Sequence, residues 1–294
     1  MKKIAVFTLA LLAALPLAAQ KRAFTIEDIY RLQYASGPTV SATGALAYGT
    51  SRSDLKAQKS YSNIVVNGKT ITTDNKSFSP FWSADGRTLY YVSMASGSSQ
   101  LYAWHDGKAT QLTDYALGID GAIVSPDGNL IAFAAEVYPE IGGADGKANK
   151  AAIERKAKNP IQAHIADHLL YRHWTEYSDG KYWHIIVYNL KNKTYTDVTP
   201  GRFHSPVFSP NGPSGFVFSP DSKELCYLSN HDEHPEATTN CDLWVVPVTG
   251  GEAKNITAEN KAWDGSPQYS PDGRYIAYRF QRTPGYESDR FILG

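Results

Sequence analysis

An all-β fold built from a repeated unit is what this sequence predicts, on three observations. A Ser-led turn occurs five times, as Ser41-Ala42-Thr43-Gly44, Ser83-Ala84-Asp85-Gly86, Ser125-Pro126-Asp127-Gly128, Ser219-Pro220-Asp221-Ser222 and Ser270-Pro271-Asp272-Gly273. Each turn is followed by a short apolar run, at 45–48, 88–92, 130–133, 224–228 and 275–278. The leading serines stand 42, 42, 94 and 51 residues apart, and a period of about 40 to 50 with several short strands per unit is that of a β-propeller blade. The gap of 94 holds either a missed repeat or one unit with an insert. The β pattern stops after Ala134 and returns at 183–188, which favours a helical insert over 136–181 in the third blade. At least five blades are expected, with the propeller incomplete because the fifth unit stops soon after its turn.

The elements follow from local chemistry. Lys2 and Lys3 precede an apolar run over 4–17 and a small-residue end, Leu17-Ala18-Ala19. Such a run is too short for a membrane span and reads as a cleaved secretory signal over 1–19, giving a periplasmic or secreted protein. Residues 20–294 then form a partial propeller domain. Thr25-Ile26-Glu27-Asp28 has the spacing of a capped helix start. Within a unit, proline presets φ, aspartate bonds nearby backbone and glycine accepts positive φ. A hairpin follows, as at 89–92 and 100–104, and then a tight Asp106-Gly107 turn; the first unit has its own Asn67-Gly68 hairpin turn. The last strand ends in Leu112-Thr113, echoed by Val198-Thr199 and Ile256-Thr257. In the insert, 147–158 favours helix and is stopped by Asn159-Pro160. A second helix is expected over 161–170, and 171–177 is dense in aromatics and charge.

Charge excludes some functions. With 29 basic and 29 acidic residues there is no global field to draw in nucleic acid or an anionic membrane, so neither is expected as a partner. The basic residues of the expected helix read as a solvated face. Two cysteines, Cys226 and Cys241, lie in consecutive strand-like segments. Export and antiparallel pairing across a polar loop near 231–236 predict a disulfide between them.

Few constellations carry chemistry. His164 and His168 have i, i+4 spacing that could grip zinc on a helix, but the acid between them is Asp167, no third ligand announces itself, and hydrogen-bonded or solvated histidines are the favoured reading. His231-Asp232-Glu233-His234 reads as loop polarity. Neither a Gly-x-Ser-x-Gly elbow nor a Gly-rich phosphate loop occurs. No catalytic residue, cofactor or metal is expected.

The Ser-Pro-Asp-Gly units, WD40-like or TolB-like in their turns, resemble the propeller of the prolyl oligopeptidase (S9) serine peptidases. Tyr171-Arg172-His173-Trp174 with Asp179-Gly180-Lys181 and His184 is similar to the dipeptidyl-peptidase 5 and acylaminoacyl-peptidase branch. So is Trp263-Asp264-Gly265-Ser266-Pro267 with Gly285-Tyr286-Glu287-Ser288-Asp289-Arg290. The resemblance implies a propeller that filters short peptides above an α/β-hydrolase domain carrying the serine nucleophile. No position here matches that nucleophile motif, so the chain is expected to be an inactive N-terminal part. Its implied partners are short peptides, the hydrolase domain of the same polypeptide and, as a further possibility, a second copy. Arg172, His173, Trp174 and Tyr177 are the candidate substrate- or domain-contacting residues; packing of the insert on its own blade is the alternative. A complete, non-enzymatic TolB-like propeller acting as a periplasmic protein-binding module is the second functional reading.

Overall fold

A computed structural model describes residues 22–167, 169–207 and 215–294; the expected signal segment and His168 lie outside them. The described chain is mostly β, in five larger antiparallel sheets with neighbouring strands in meander order and one two-stranded hairpin. The first holds β1 (Gln33–Val40), β2 (Leu46–Asp54), β3 (Lys59–Val66) and β4 (Lys69–Thr70). The second holds β5 (Ser77–Trp82), β6 (Leu89–Ser93), β7 (Gln100–His105) and β8 (Lys108–Gln111). In the third, β9 (Asp120–Val124) and β10 (Leu130–Val137) are separated from their sheet partners by the insert. The insert contains helix α1 (Gly146–Ala157) and a small hairpin, β11 (Arg172–His173) with β12 (Glu176–Tyr177). The sheet resumes with β13 (Tyr182–Asn189) and β14 (Thr194–Asp197). The fourth holds β15 (Phe216–Phe218), β16 (Glu224–Ser229), β17 (Asp242–Pro247) and β18 (Lys254–Asn255). The fifth holds β19 (Asp264–Tyr269), β20 (Ile276–Phe280) and β21 (Ile292–Leu293).

Two compact units are distinguished. The described part of the smaller is 22–34 with 51–61; the larger is 35–50 with 62–294. In the smaller, a 3-10 turn at Ile26–Arg31 starts as expected, with the Thr25 amide donating to the Asp28 carboxylate at 2.8 Å. Asp28 is also paired with Arg22 and Arg31.

In the larger unit every Ser-led turn is wired alike. The serine amide donates to the carbonyl of a residue at or just before the start of the next strand, as in Ser125 to Leu130 at 2.9 Å, and the amide of that residue donates back to the serine Oγ at 2.9 Å. The hydroxyl in turn donates to the aspartate two residues on, at 2.6–2.7 Å in four copies. This closed ring of bonds explains why serine and aspartate recur together. The fourth turn position has positive φ in every copy, which glycine adopts at no steric cost; at Gly86 a Cβ would also stand 2.9 Å from the Ala42 amide nitrogen.

The Leu/Val/Ile-Thr pairs have a matching role. The hydroxyls of Thr72, Thr113, Thr199 and Thr257 accept from the buried amides of Ile64, Leu101, Ile185 and Leu243, each at 2.8–2.9 Å. The fourth strand of each sheet is thereby extended by a side-chain bond after its backbone ladder ends.

Packing runs from sheet to sheet. Ile131 and Phe133 of β10 join Val92 and Leu101 of the second sheet, while Ala132 and Ala134 on the opposite face join Phe216, Leu225 and Tyr227 of the fourth. Successive strand residues point to opposite faces, so a sheet covered on both sides reads as the near-continuous apolar run 130–135. Cys226, Leu228, Cys241 and Leu243 pack with Tyr269 of the fifth sheet.

Two expectations are corrected. The Cys226–Cys241 disulfide is not formed, and both thiols are free and buried. The β16–β17 register sets Cys226 opposite Val245 and closes at Ser229 with Asp242. Cys241 therefore lies four residues, about 13 Å, along the strand from the position facing Cys226, beyond the ~7 Å Cα reach of a disulfide. The second insert helix is also absent: the described residues of 161–170 carry no helix. Ile161 and Ile165 are exposed, so a helix there would lack the buried face that stabilises short helices.

Candidate functional site

In a four-stranded meander the first-to-second and third-to-fourth connections lie at one end of a sheet, and the second-to-third connections at the other. The Ser-led turns and Asp-Gly turns occupy the first end. The second end carries the connections that break the repeat: the insert at 138–181, the 230–241 loop and the 281–291 loop. This face holds the chemistry-bearing side chains.

The insert is half pinned and half exposed. Asp145 caps α1 by accepting from the Ala148 amide at 2.8 Å. Asn149, fully buried, accepts from the Tyr138 amide at 2.7 Å and donates to the Gly142 carbonyl at 2.8 Å. Tyr115 donates to the Gly143 carbonyl at 2.6 Å, and the Gly143 amide donates to Asp197 at 2.7 Å. Asp197 also takes His184 Nδ1 at 2.7 Å, while His184 Nε2 donates to the Gly201 carbonyl at 2.9 Å. A side chain at Gly143 would force Ile186 to shift, since a Cβ would stand 2.1 Å from Ile186 Cδ1. Lys181 to Glu136, at 2.7 Å, closes the base. Packing of the insert on its own sheet thus holds for 138–157.

The second half is different. In the β11–β12 hairpin Arg172 pairs with Tyr177 and His173 with Glu176. Trp174 sits at the tip with φ of 42° and is 73% exposed. Arg172 donates to the Trp174 carbonyl. Tyr177 stacks on His164 with centroids 3.8 Å apart. His164 Nδ1 lies 2.7 Å from Asp179, which also takes Lys156 at 3.3 Å. Burial works against the Asp179 charge, yet these two partners hold its carboxyl below the usual range. Arg172, Trp174 and Tyr177 therefore share one hairpin with the His173 backbone. His164 is engaged by Asp179 and Tyr177 and lies on no helix. Among the described residues no group of three or more His, Cys, Asp or Glu could hold a metal. Ile161, Ile165, Leu169, Leu170, Trp174 and Tyr177 leave an exposed apolar surface. Between the 138–141 segment and α1 is a cleft of about 490 Å³ lined by Tyr138, Glu140, Ile141, Arg155, Lys156 and Asn159.

In the 230–241 loop the two histidines part company. His234 faces Glu236 at 3.3 Å on the surface. His231 is stacked between Phe203 and Trp244, with centroid distances of 3.8 and 4.0 Å. Burial pushes its pKa down to about 4.

Reasoning from sequence missed a polar group beneath this loop. Asp242 and Asp264 are 5% and 0% exposed. Cys241 and Trp263 form a parallel bridge, with the Asp264 amide donating to the Cys241 carbonyl at 2.7 Å, so the two aspartates follow at adjacent positions of neighbouring strands. Asp242 takes Asn255 at 2.8 Å and Asp264 takes Asn260 at 2.8 Å. The available signal was an aspartate at the start of each of two consecutive strand-like runs.

No family model matches the chain. It is 29% identical over 252 residues to dipeptidyl-peptidase 5 of Porphyromonas endodontalis, covering 81% of this chain and 35% of that protein. It is 28% identical over 290 residues to dipeptidyl-peptidase 5 of Porphyromonas gingivalis, covering 90% and 40%. In fold it matches acylaminoacyl peptidase of Pyrococcus horikoshii with a TM-score of 0.64 at 12% identity, over 92% of this chain and 39% of that one. The chain thus spans about two fifths of the length of these relatives. Its fold class is that of β-propeller domains. Its resemblance to the propeller of the dipeptidyl-peptidase 5 and acylaminoacyl-peptidase branch of the S9 peptidases is established in both sequence and fold.

Proposed function

We propose that this chain is the propeller portion of an exported serine exopeptidase of dipeptidyl-peptidase 5 type. In this reading it admits short peptides to an α/β-hydrolase domain of the same polypeptide and contributes no catalytic residue of its own. The carrying observation is the sequence likeness to dipeptidyl-peptidase 5 over 81–90% of the chain, at about two fifths of the relatives' length. In this reading the five larger sheets are blades of the propeller.

The exposed half of the insert is the contact element. Aromatics and arginine on a projecting hairpin suit an interface anchor, where such residues dominate binding energy. Trp174 leads at the tip, Tyr177 and Arg172 support it, and His173 belongs to the same hairpin. The pinned half fixes the base, so the hairpin is presented from a rigid sheet. The test is peptide hydrolysis by the complete polypeptide with Trp174→Ala or Arg172→Ala. Dipeptide release with a raised KM, or altered tolerance of longer peptides, is expected. Kinetics identical to the parent in both variants would remove the hairpin from the proposal. The 294 residues alone are expected to hydrolyse no dipeptidyl-naphthylamide.

A further inference from the structure

The third strand carries the same device in four sheets. The residue just before the amide bonded by the conserved-position threonine is Asn63, Gln100, His184 or Asp242. Three of these side chains donate into the connection that leaves the fourth strand. Asn63 Nδ2 donates to Asn75 Oδ1 at 3.0 Å, Gln100 Nε2 to the Tyr115 carbonyl at 2.8 Å, and His184 Nε2 to the Gly201 carbonyl at 2.9 Å. The oxygens of Asn63 and Gln100 also accept, from the Thr72 and Thr113 hydroxyls, but the donated bond is one that an ionised aspartate has no proton to make. In the fourth sheet Asp242 stands there, and its Oδ1 is buried without a hydrogen-bond partner.

Two further oxygens share this condition. Asp264 Oδ2 and Asn240 Oδ1 are buried and unpartnered, on residues 0% and 4% exposed. Asn240 belongs to the same group, since its Nδ2 lies 3.5 Å from Asp242 Oδ2 and 3.3 Å from Asp232 Oδ1. Two adjacent buried carboxylates without a compensating cation are costly to fold. The three unpartnered atoms are all oxygens, and the two carboxylates carry up to two negative charges.

We infer that Asp242, Asp264 and Asn240 form a structural site for a hard divalent cation of the calcium class. Oxygen-only donors with two carboxylates fit such an ion, with backbone carbonyls and water completing its shell. The ion would do in the fourth sheet what the donors of Asn63, Gln100 and His184 do in theirs, tying the 230–241 loop and the entry to β19 together. The site stands independently of the peptidase reading.

The test is thermal unfolding of the 294-residue chain after chelator treatment, titrated with calcium, magnesium or sodium, with bound metal measured by mass spectrometry. At about a hundredfold excess over Kd, calcium should raise Tm by about 5–10 °C, with one equivalent bound. Asp264→Asn should abolish the response. Asp242→Gln, which installs the side chain found at position 100, should fold without calcium and be insensitive to it. A calcium response below about 1 °C with no bound metal overturns the inference. So does a response to sodium alone, a full calcium response in both variants, or stabilisation that appears only as pH falls from 7 to 5, which would mark a proton shared by the two carboxylates.

Discussion

Thr199→Val isolates one hydroxyl. The two side chains have nearly the same shape, so little cavity is left. What is lost is the Thr199 Oγ1 acceptor for the Ile185 amide, 2.8 Å away, on a residue with no exposed surface. Leaving a buried donor unsatisfied costs about 1–3 kcal/mol. At about 2–4 °C per kcal/mol for a domain of this size, Tm should fall by about 4–8 °C for a mid-range loss. Thr113→Val should cost at least as much, because it loses the equivalent bond from the fully buried Leu101 amide at 2.9 Å and also the hydroxyl's own bond to Gln100 at 2.7 Å. Thr199→Ser keeps the hydroxyl and should retain most of the stability. Circular dichroism melts of the three variants and the exposed control Thr110→Val provide the comparison. A Thr199→Val melt within about 1 °C of the parent would refute the claim that these hydroxyls carry the strand ends.

Other predictions follow from the same contacts. Gly143→Ala should cost about 1–3 kcal/mol by overpacking against Ile186 and make the α1 amides exchange faster with deuterium, whereas unchanged exchange would contradict the anchor. His231 makes stability depend on pH. Above pH 6.5 the ring is neutral folded and unfolded and adds nothing; as pH falls toward about 4 the unfolded chain takes up a proton that the folded ring resists, so stability drops, by at most about 3 kcal/mol. His231→Phe keeps the stack between Phe203 and Trp244 and should flatten that difference between pH 7 and 4.5 in denaturant titrations; an unchanged pH slope would count against it. Burial pushes the Cys226 thiol up to about 12 and raises Cys241 as well. Both should resist a thiol reagent in the native state and react fully once unfolded, and a native mass two hydrogens short would reinstate the disulfide.

What sequence revealed was what local chemistry decides. Each Ser-led turn closes its bonds within five residues, so its pattern is visible in one dimension. The first insert helix was legible because its propensity and the Asn159-Pro160 stop are contiguous, and Asp145 caps it locally. The misreadings arise where partners are remote. Helical spacing over 161–170 says nothing about whether a neighbour covers Ile161 and Ile165, and none does. The Cys226–Cys241 pairing assumed a short loop, whereas the closing pair Ser229–Asp242 shifts the register by four residues. Asp242 and Asp264 come together through a bridge between the residues just before β17 and β19, in two different sheets, which no local pattern announces. Of the candidate contact residues, clustering in one stretch was evident, while the tip position of Trp174 and the anchoring of the insert through Tyr115, Gly143, Asp197 and His184 required the fold.

The central claim is that this propeller serves a peptidase domain encoded with it. The most direct measurement is hydrolysis of dipeptidyl-naphthylamides by the protein expressed from the whole open reading frame that contains these 294 residues. The account predicts release of N-terminal dipeptides that a serine-directed inhibitor abolishes, with no turnover by residues 20–294 alone. A reading frame without a Gly-x-Ser-x-Gly segment, yielding a well-folded protein with no peptidase activity, would contradict it.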